Sequence, residues 1–439
     1  MTKLVVHTLG CKVNQYEGEG IAAVAAGEGV KAVSDPLKAD VIVLNTCSVT
    51  RTADLEAGQL VRRFRRGNPD AVIVLTGCYA QIHPTEAARL PVDYVIGHGE
   101  KDTLGREIPA IARRGRRKRA EVRVGNILRD RRLPVFEQPA HSEVRRTRRF
   151  VKVQDGCDVF CSFCIVPHAR GLPRSARADD LRQQIARHAR EGVMEIVLTG
   201  PHIGSWGQDL SPRARLSDLL SRVRRESGFS RVRLSSMEPS EFDAEVISEL
   251  TGHPDVFCDH FHIPLQSGSD AILRRMRRPY DAARFRRLAE RFAKMLPDVG
   301  LGTDLIAGFP GERAQDHRKT VRLMEETPIS FFHVFPFSAR PGTPAARYPD
   351  QNRPEIIRER AAALRELGAR KKRAFHERFV GKSVEVLLES HTDDGRLRGY
   401  SRNYVPVEVA DENLSANRVA RVRIESIDDG GRVLGRGLS

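Results

Sequence analysis

Asp155-Gly156-Cys157-Asp158-Val159-Phe160-Cys161-Ser162-Phe163-Cys164 carries three thiols spaced Cys-x3-Cys-x2-Cys. A short loop of that spacing wraps one face of a cubane and ligates three irons of a four-iron, four-sulfur cluster, leaving the fourth iron open. Thiolates are soft donors that suit iron–sulfur clusters or zinc. A closed structural zinc site wants four ligands, and no fourth cysteine is near; His168 is the residue that would complete one. The β-like run Arg149-Phe150-Val151-Lys152-Val153 comes just before the loop.

Downstream of that strand the chain repeats a β-then-α unit six times. The strands are expected at 150–154, 195–199, 231–235, 257–264, 302–307 and 330–337, with helices at 179–190, 216–226, 242–250, 281–295 and 315–326. Six units imply an open, partial (β/α)6 barrel rather than the closed eight. Polar and glycine-rich residues recur just after these strands, at Thr199-Gly200, Ser235-Ser236-Met237-Glu238, Leu265-Gln266-Ser267 and Thr303-Asp304. Strand carboxyl ends are where barrel enzymes place their chemistry. Cys258, alone on a strand, reads as core, and Trp206 as packing or as a base-stacking ring.

Upstream, residues 1–105 alternate apolar strand-like runs with helix-like stretches, which argues for a parallel α/β domain of the Rossmann or flavodoxin type. Each of three runs is followed by a cysteine: Leu9-Gly10-Cys11, Asn45-Thr46-Cys47 and Thr76-Gly77-Cys78. The carboxyl ends of parallel strands share one edge of the sheet, where ligands bind. Three distant cysteines should therefore meet there, as a second three-thiolate set. Residues 106–148 read as a basic linker, rich in Arg113, Arg114, Arg116, Arg117, Arg145, Arg146 and Arg148. It is either simply solvated or able to grip phosphates.

The core from 149 to 378 ends in a long amphipathic helix starting at Pro354. Beyond it, residues 379–439 break into short strands with turn signals such as Asp394-Gly395, as in a small antiparallel β-barrel. Arg398, Tyr400, Arg402 and Tyr404 are grouped there and suit an RNA-binding face, with guanidiniums for phosphates and rings for stacking; a packing module is the plainer reading.

Lys plus Arg number 73 against 57 Asp plus Glu, a net charge of +16 over 439 residues, which favours a polyanionic partner such as RNA or DNA. Seven cysteines, no secretory start and no run of 18 apolar residues indicate a reduced, cytoplasmic chain without membrane association, whose clustered thiols serve metals rather than disulfides.

Cys157-x3-Cys161-x2-Cys164 after a strand resembles the signature of radical S-adenosylmethionine (SAM) enzymes. Nearly the whole chain resembles the methylthiotransferases of that superfamily: an amino-terminal three-cysteine domain, the radical SAM core and a TRAM domain, in that order. Leu9-Gly10-Cys11-Lys12-Val13-Asn14-Gln15-Tyr16-Glu17 and Cys164-Ile165-Val166-Pro167-His168-Ala169-Arg170-Gly171 look most like the branch acting on tRNA N6-threonylcarbamoyladenosine. The resemblance implies two 4Fe-4S clusters, on Cys11, Cys47 and Cys78 and on Cys157, Cys161 and Cys164. It implies SAM, with Glu238, Gln266, Ser267 and Asp304 as groups able to bind its ribose and methionyl parts. It also implies an electron donor such as flavodoxin or ferredoxin and a tRNA anticodon stem-loop as partner. In that family one SAM methylates a sulfur on the auxiliary cluster, and a second yields a deoxyadenosyl radical that takes hydrogen from adenine C2, which then receives the methylthio group. Alternatives are the methylthiotransferases of isopentenyladenosine in tRNA and of a ribosomal-protein aspartate, and, outside catalysis, a zinc-stabilised RNA-binding protein.

Overall fold

The computed structural model describes residues 1–134, 136, 147–411 and 413–438; the basic residues Arg145 and Arg146 fall outside them. The amino-terminal domain is a six-stranded parallel sheet in the spatial order Lys31–Ala32, Lys3–Thr8, Val41–Thr46, Val72–Gly77, Tyr94–Ile96, Glu121–Arg123. Its first five strands have the flavodoxin order 2-1-3-4-5, whose direction reverses between the strands Lys3–Thr8 and Val41–Thr46. One face is covered by Tyr16, Ile21, Leu104 and Ile108, the other by Val61, Phe64, Ala80 and Ala87. Val41–Thr46 and Val72–Gly77 are consequently buried along their whole length, which is why they read as continuous apolar runs rather than alternating ones.

The expected linker beginning at 106 is shorter than its charge suggested. Leu104–Arg114 is a helix with Ile108 and Ile111 buried, and Glu121–Arg123 adds the sixth strand. Pro109 inside the helix and the arginines of its last turn masked the apolar face in the sequence.

The second domain has six parallel strands in chain order: Arg148–Lys152, Glu195–Thr199, Val232–Leu234, His260–His262, Gly300–Ala307 and Phe331–Pro336. They form two three-stranded sheets, joined where Val232 bridges Phe257. Val151, Val153, Val232, Leu234, Leu301 and Leu305 point outward into one core with the surrounding helices. Period-two alternation turns Arg148, Phe150, Lys152, Arg233, Asp304 and His333 toward the lumen. Among the described residues the first and last strands do not pair, so the barrel is open. The amino-terminal domain stands in that gap. Its helix Lys12–Gly27 packs on Arg148–Lys152, and Phe150 joins the cluster of Tyr16 and Phe136.

After the helix Pro354–Glu377 comes a closed five-stranded barrel, in the order Ser383–His391, Leu397–Ser401, Pro406–Val409, Val433–Gly437, Arg418–Ile427, around Val386, Leu388, Val407, Val422 and Ile424. It caps the amino ends of the parallel strands. Arg402 donates to the carbonyls of Ser230, Pro254 and Phe257, and Asn403 to that of Asp298. Each acceptor lies just before a strand of the larger barrel. Removing Arg402 strands three carbonyls at once, so Arg402→Ala should cost about 2 kcal/mol and speed proteolytic cleavage between the two barrels. An unchanged cleavage rate would show that the joint does not depend on it.

Candidate active site

Cys11, Cys47 and Cys78 follow three neighbouring strands and come together at the carboxyl edge of the sheet, two of them flanking the point where the strand order reverses. Their mutual electrostatic influence is direct: Cys78 feels both Cys47 and Cys11, and burial pushes its thiol up to about 12. Two glycines make the convergence possible. Gly10, at φ +93°, leaves no room for a side chain, because a Cβ there would lie 2.7 Å from Cys47 Cβ and 2.9 Å from its sulfur. Gly77, at φ +95°, passes so close to Thr46 that a Cβ would meet that residue's carbonyl oxygen at 2.3 Å. Asn14, fully buried, staples the loops by donating to the carbonyls of Leu9 and Thr46, each at 2.9 Å. Gly10→Ala should therefore part Cys11 from Cys47 and cut the iron bound by this set, read as iron per chain after anaerobic reconstitution; full iron loading would show that the loop absorbs the methyl group.

The Cys157–Cys164 loop lies where the first barrel strand ends. Arg278 donates to Cys161 Sγ at 3.0 Å, and the backbone N–H of Val166 lies 3.4 Å from Cys164 Sγ. Burial pulls His202 down, but the neighbouring Cys157 and Glu241, the latter 2.6 Å from its Nε2, outweigh it and raise the imidazole to about 11. Three thiolate donors to a set suit a four-iron cluster with one iron left open. His168 packs edge-on against Phe160 instead of completing a zinc site.

What joins the two sets was not apparent from composition. Arg170, six residues after Cys164 and 3% exposed, donates to Glu17 Oε1 at 3.0 Å and Oε2 at 3.2 Å, to Asp155 Oδ1 at 3.0 Å and to Asn14 Oδ1 at 2.5 Å. Lys101 adds a bond to Glu17 at 2.7 Å, and Lys152 reaches Glu17 at 3.2 Å and Asp155 at 3.3 Å. Burial opposes ionisation of Glu17, yet Arg170, Lys101 and Lys152 outweigh it and hold the carboxyl well below its usual range. Arg170 thus ties the helix that starts after Cys11 to the loop that bears the second set. Opposite it, Arg340, from the loop after the sixth barrel strand, donates to Ser48 Oγ at 2.9 Å and pairs with Asp54, gripping the loop after Cys47. The helix Cys78–Ile82 packs on Val166–Arg170. Both thiol sets consequently border one interdomain junction.

Below that junction the lumen is lined by His262, Asp304 and His333. Asp304 Oδ1 lies 2.9 Å from His262 Nε2 and 3.0 Å from His333 Nδ1. Burial works against its charge, but the two imidazoles hold the carboxyl well below the usual range. Lys12, the residue after Cys11, opens the helix Lys12–Gly27 and is half-buried. The floor is His260 stacked on Tyr404 at 4.4 Å, with Tyr404 on Tyr400 at 4.7 Å.

The residues expected to bind SAM are divided. Glu238 pairs with Arg278 at 2.7 Å, beside Cys161, and Gln266, at φ +74°, bridges Leu305 on the neighbouring strand. Both stand by the cluster loop's side of the barrel or at a strand end. Ser267 is turned away into a buried bond network, accepting from the Ser269 N–H at 3.2 Å with Thr320 3.5 Å away. Asp304 sits deeper, with the two histidines. Of the residues expected on an RNA face, Arg402 and Tyr404 are taken up by the joint between the barrels. Tyr400 and Tyr404 lie under Arg148, and Arg398 is exposed and paired with Glu408 at 2.7 Å. Trp206 is core, its indole N–H donating to Ala176 O at 3.0 Å, and Cys258 is buried too.

A parallel (β/α)6 barrel with a three-thiol loop after its first strand, closed by a domain offering three more thiols, defines a radical SAM enzyme with a second cluster domain. Residues 151–324 match the radical SAM superfamily, and residues 3–97 match uncharacterized protein family UPF0004. A Bacillus subtilis protein named threonylcarbamoyladenosine tRNA methylthiotransferase MtaB is 37% identical over 97% of this chain and 94% of its own length. A Thermobifida fusca protein named tRNA-2-methylthio-N(6)-dimethylallyladenosine synthase is 35% identical over 96% and 86%. Among solved structures, the radical SAM methyltransferase TsrM of Kitasatospora setae, bound to cobalamin and a 4Fe-4S cluster, superposes with a TM-score of 0.56 at 17% identity over 79% of this chain and 77% of that one, a likeness of fold. The chain belongs to the radical SAM methylthiotransferase family. It is a transferase whose cofactors are SAM and two 4Fe-4S clusters.

Proposed function

We propose that this enzyme adds a methylthio group to C2 of N6-threonylcarbamoyladenosine beside the tRNA anticodon, with Cys11, Cys47 and Cys78 holding one cluster and Cys157, Cys161 and Cys164 the other. The observation that carries the reading is the convergence of both thiol sets on the junction spanned by Arg170 and Arg340. The relatives named for threonylcarbamoyladenosine, at 33–37% identity over most of the chain, favour that base.

When bound, the clusters and SAM supply the sulfur, the methyl group and the radical that an unactivated aromatic C–H bond requires, since no side-chain base can remove its hydrogen. The chain's own residues position and enclose. Arg170 and Arg340 fix the Cys11 and Cys47 loops against the barrel, and Arg278 donates to Cys161 Sγ. His202 stands beside the loop with its Nε2 2.6 Å from Glu241 Oε1. A single-stranded anticodon loop can offer its base to such a junction at modest cost. Net charge of +16 suits an RNA partner. A flavodoxin- or ferredoxin-type protein is the proposed electron donor and the cytoplasm the proposed location; among the described residues no helix is long and apolar enough to cross a membrane.

Mass analysis of tRNA nucleosides from a strain lacking the gene tests the substrate. Loss of 2-methylthio-N6-threonylcarbamoyladenosine is expected. Loss of the isopentenyl analogue instead would move the enzyme to the branch of the Thermobifida fusca relative.

A further inference from the structure

The fifth and sixth barrel strands pair with Gly302 opposite Phe331 and Asp304 opposite His333. The residues between them, Leu301, Leu305, Phe332 and Val334, go outward to the helices, so these four face the lumen. Gly302 lets the rings close across the strand: a Cβ there would meet Phe331 Cε2 at 2.5 Å and His262 Nδ1 at 2.7 Å. His262 turns its other nitrogen, Nε2, to Asp304 Oδ1 at 2.9 Å. His333 brings Nδ1 to the same oxygen at 3.0 Å, and the two imidazoles stack with centroids 5.4 Å apart. A carboxylate only accepts, so both of those nitrogens carry hydrogen. The ring of His333 is thereby fixed with Nε2 away from Asp304, and its side chain is still 62% exposed.

We propose that His333, held by the positioning residues Asp304 and His262, hydrogen-bonds the polar N6 arm of the substrate base and so selects threonylcarbamoyladenosine over isopentenyladenosine. The inference rests on the function stated above and names the side chain that makes the choice. A strand rises about 3.3 Å per residue, which puts His333 roughly 10 Å below the end of its strand at Pro336. Just past that end, Arg340 grips the loop beside Cys47. C2 and C6 are meta positions of one ring, so a base that presents C2 upward to the thiol sets at the junction sends its N6 arm down the lumen toward that depth. Phe335, two residues nearer the mouth than His333 and 41% exposed, offers a ring for the base to lie against. The threonylcarbamoyl arm carries a hydroxyl, a ureido group and a carboxylate, each able to bond an imidazole nitrogen. The isopentenyl arm is hydrocarbon, and it would cover an oriented imidazole without giving it a partner, which costs binding free energy.

The test titrates reconstituted enzymes, freed of loose metal on a chelating resin, with three anticodon stem-loops that differ only in bearing adenosine, N6-isopentenyladenosine or N6-threonylcarbamoyladenosine. Wild type should bind the threonylcarbamoyl form about tenfold more tightly than either other form, the scale of leaving a buried polar group unpaired. His333→Leu should erase that preference with iron per chain unchanged, and His333→Gln, whose amide reaches about as far as Nε2, should keep part of it. Asp304→Ala, which releases the ring without removing it, should lose part of the same preference. Absence of a wild-type preference, an undiminished preference in His333→Leu, equal weakening on all three stem-loops or loss of iron would each overturn the proposal. So would a preference that appears only with added zinc, because the ligand atoms of His262, Asp304 and His333 lie within 4.8 Å of one another and would then form a metal site. The function itself fails on a different result, methylthio product from the isopentenyl stem-loop and none from the threonylcarbamoyl one, which is read independently of these affinities.

Discussion

Arg170→Ala is expected to lower methylthio transfer by two orders of magnitude or more and to cost roughly 3–5 kcal/mol of stability, the scale for removing one partner of a buried ionic network. Arg170 gives Glu17 two of its bonds, Asp155 one and Asn14 one. Without it, two carboxylates stay buried with Lys101, Lys152 and, 3.8 Å from Asp155, Arg174 left to meet them, and Asn14 loses the contact that orients its amide toward the Cys11 and Cys47 loops. A displacement of about 1 Å between two reacting centres is enough for a hundredfold loss. At a temperature where the variant stays folded, 5′-deoxyadenosine should still form while the methylthio nucleoside does not. Product formation at the wild-type rate would sink the argument. The network also has a pH signature. Glu17 and Asp155 are held below their unfolded values, so their stabilisation is complete above the ordinary carboxylate range and fades only as pH falls through the depressed values.

The second large effect concerns the sheet-edge thiols. Cys47→Ala should reduce iron from about eight to about four per chain, leave SAM cleavage intact and abolish methylthio transfer. Cys161→Ala should keep the other four irons but lose SAM cleavage as well. Iron that stays near eight in Cys47→Ala, or a colourless protein carrying zinc, would remove the basis for two clusters.

The six barrel strands and their helices were legible because strong apolar runs alternate with turn residues, and the expected spans differ from the observed ones by a few residues at their ends. The six cysteines were legible because each thiol either repeats at a fixed spacing or follows a strand. The short strands Tyr94–Ile96 and Glu121–Arg123 were not, since three residues carry no periodicity. Arg170 and Glu17 escaped for a different reason: charge is read as exposure. A signal was present, because Glu17 falls midway between Val13 and Ile21 at i, i+4 spacing, inside the buried stripe of its helix. The Arg402 and Tyr404 contacts were invisible because they depend on how two domains meet, which local sequence does not encode.

The spacing of the thiols has a consequence for how the enzyme matures. Cys157, Cys161 and Cys164 lie within one loop and could grasp a cofactor while much of the chain is still being made. Cys11, Cys47 and Cys78 are separated by two crossover helices and meet only after the sheet has formed and Arg340, made hundreds of residues later, has clamped the loop beside Cys47. Since metal binding draws on folding free energy, the two centres should fill in sequence. Iron starvation in a growing cell should accordingly yield chains loaded at the loop before chains loaded at the sheet.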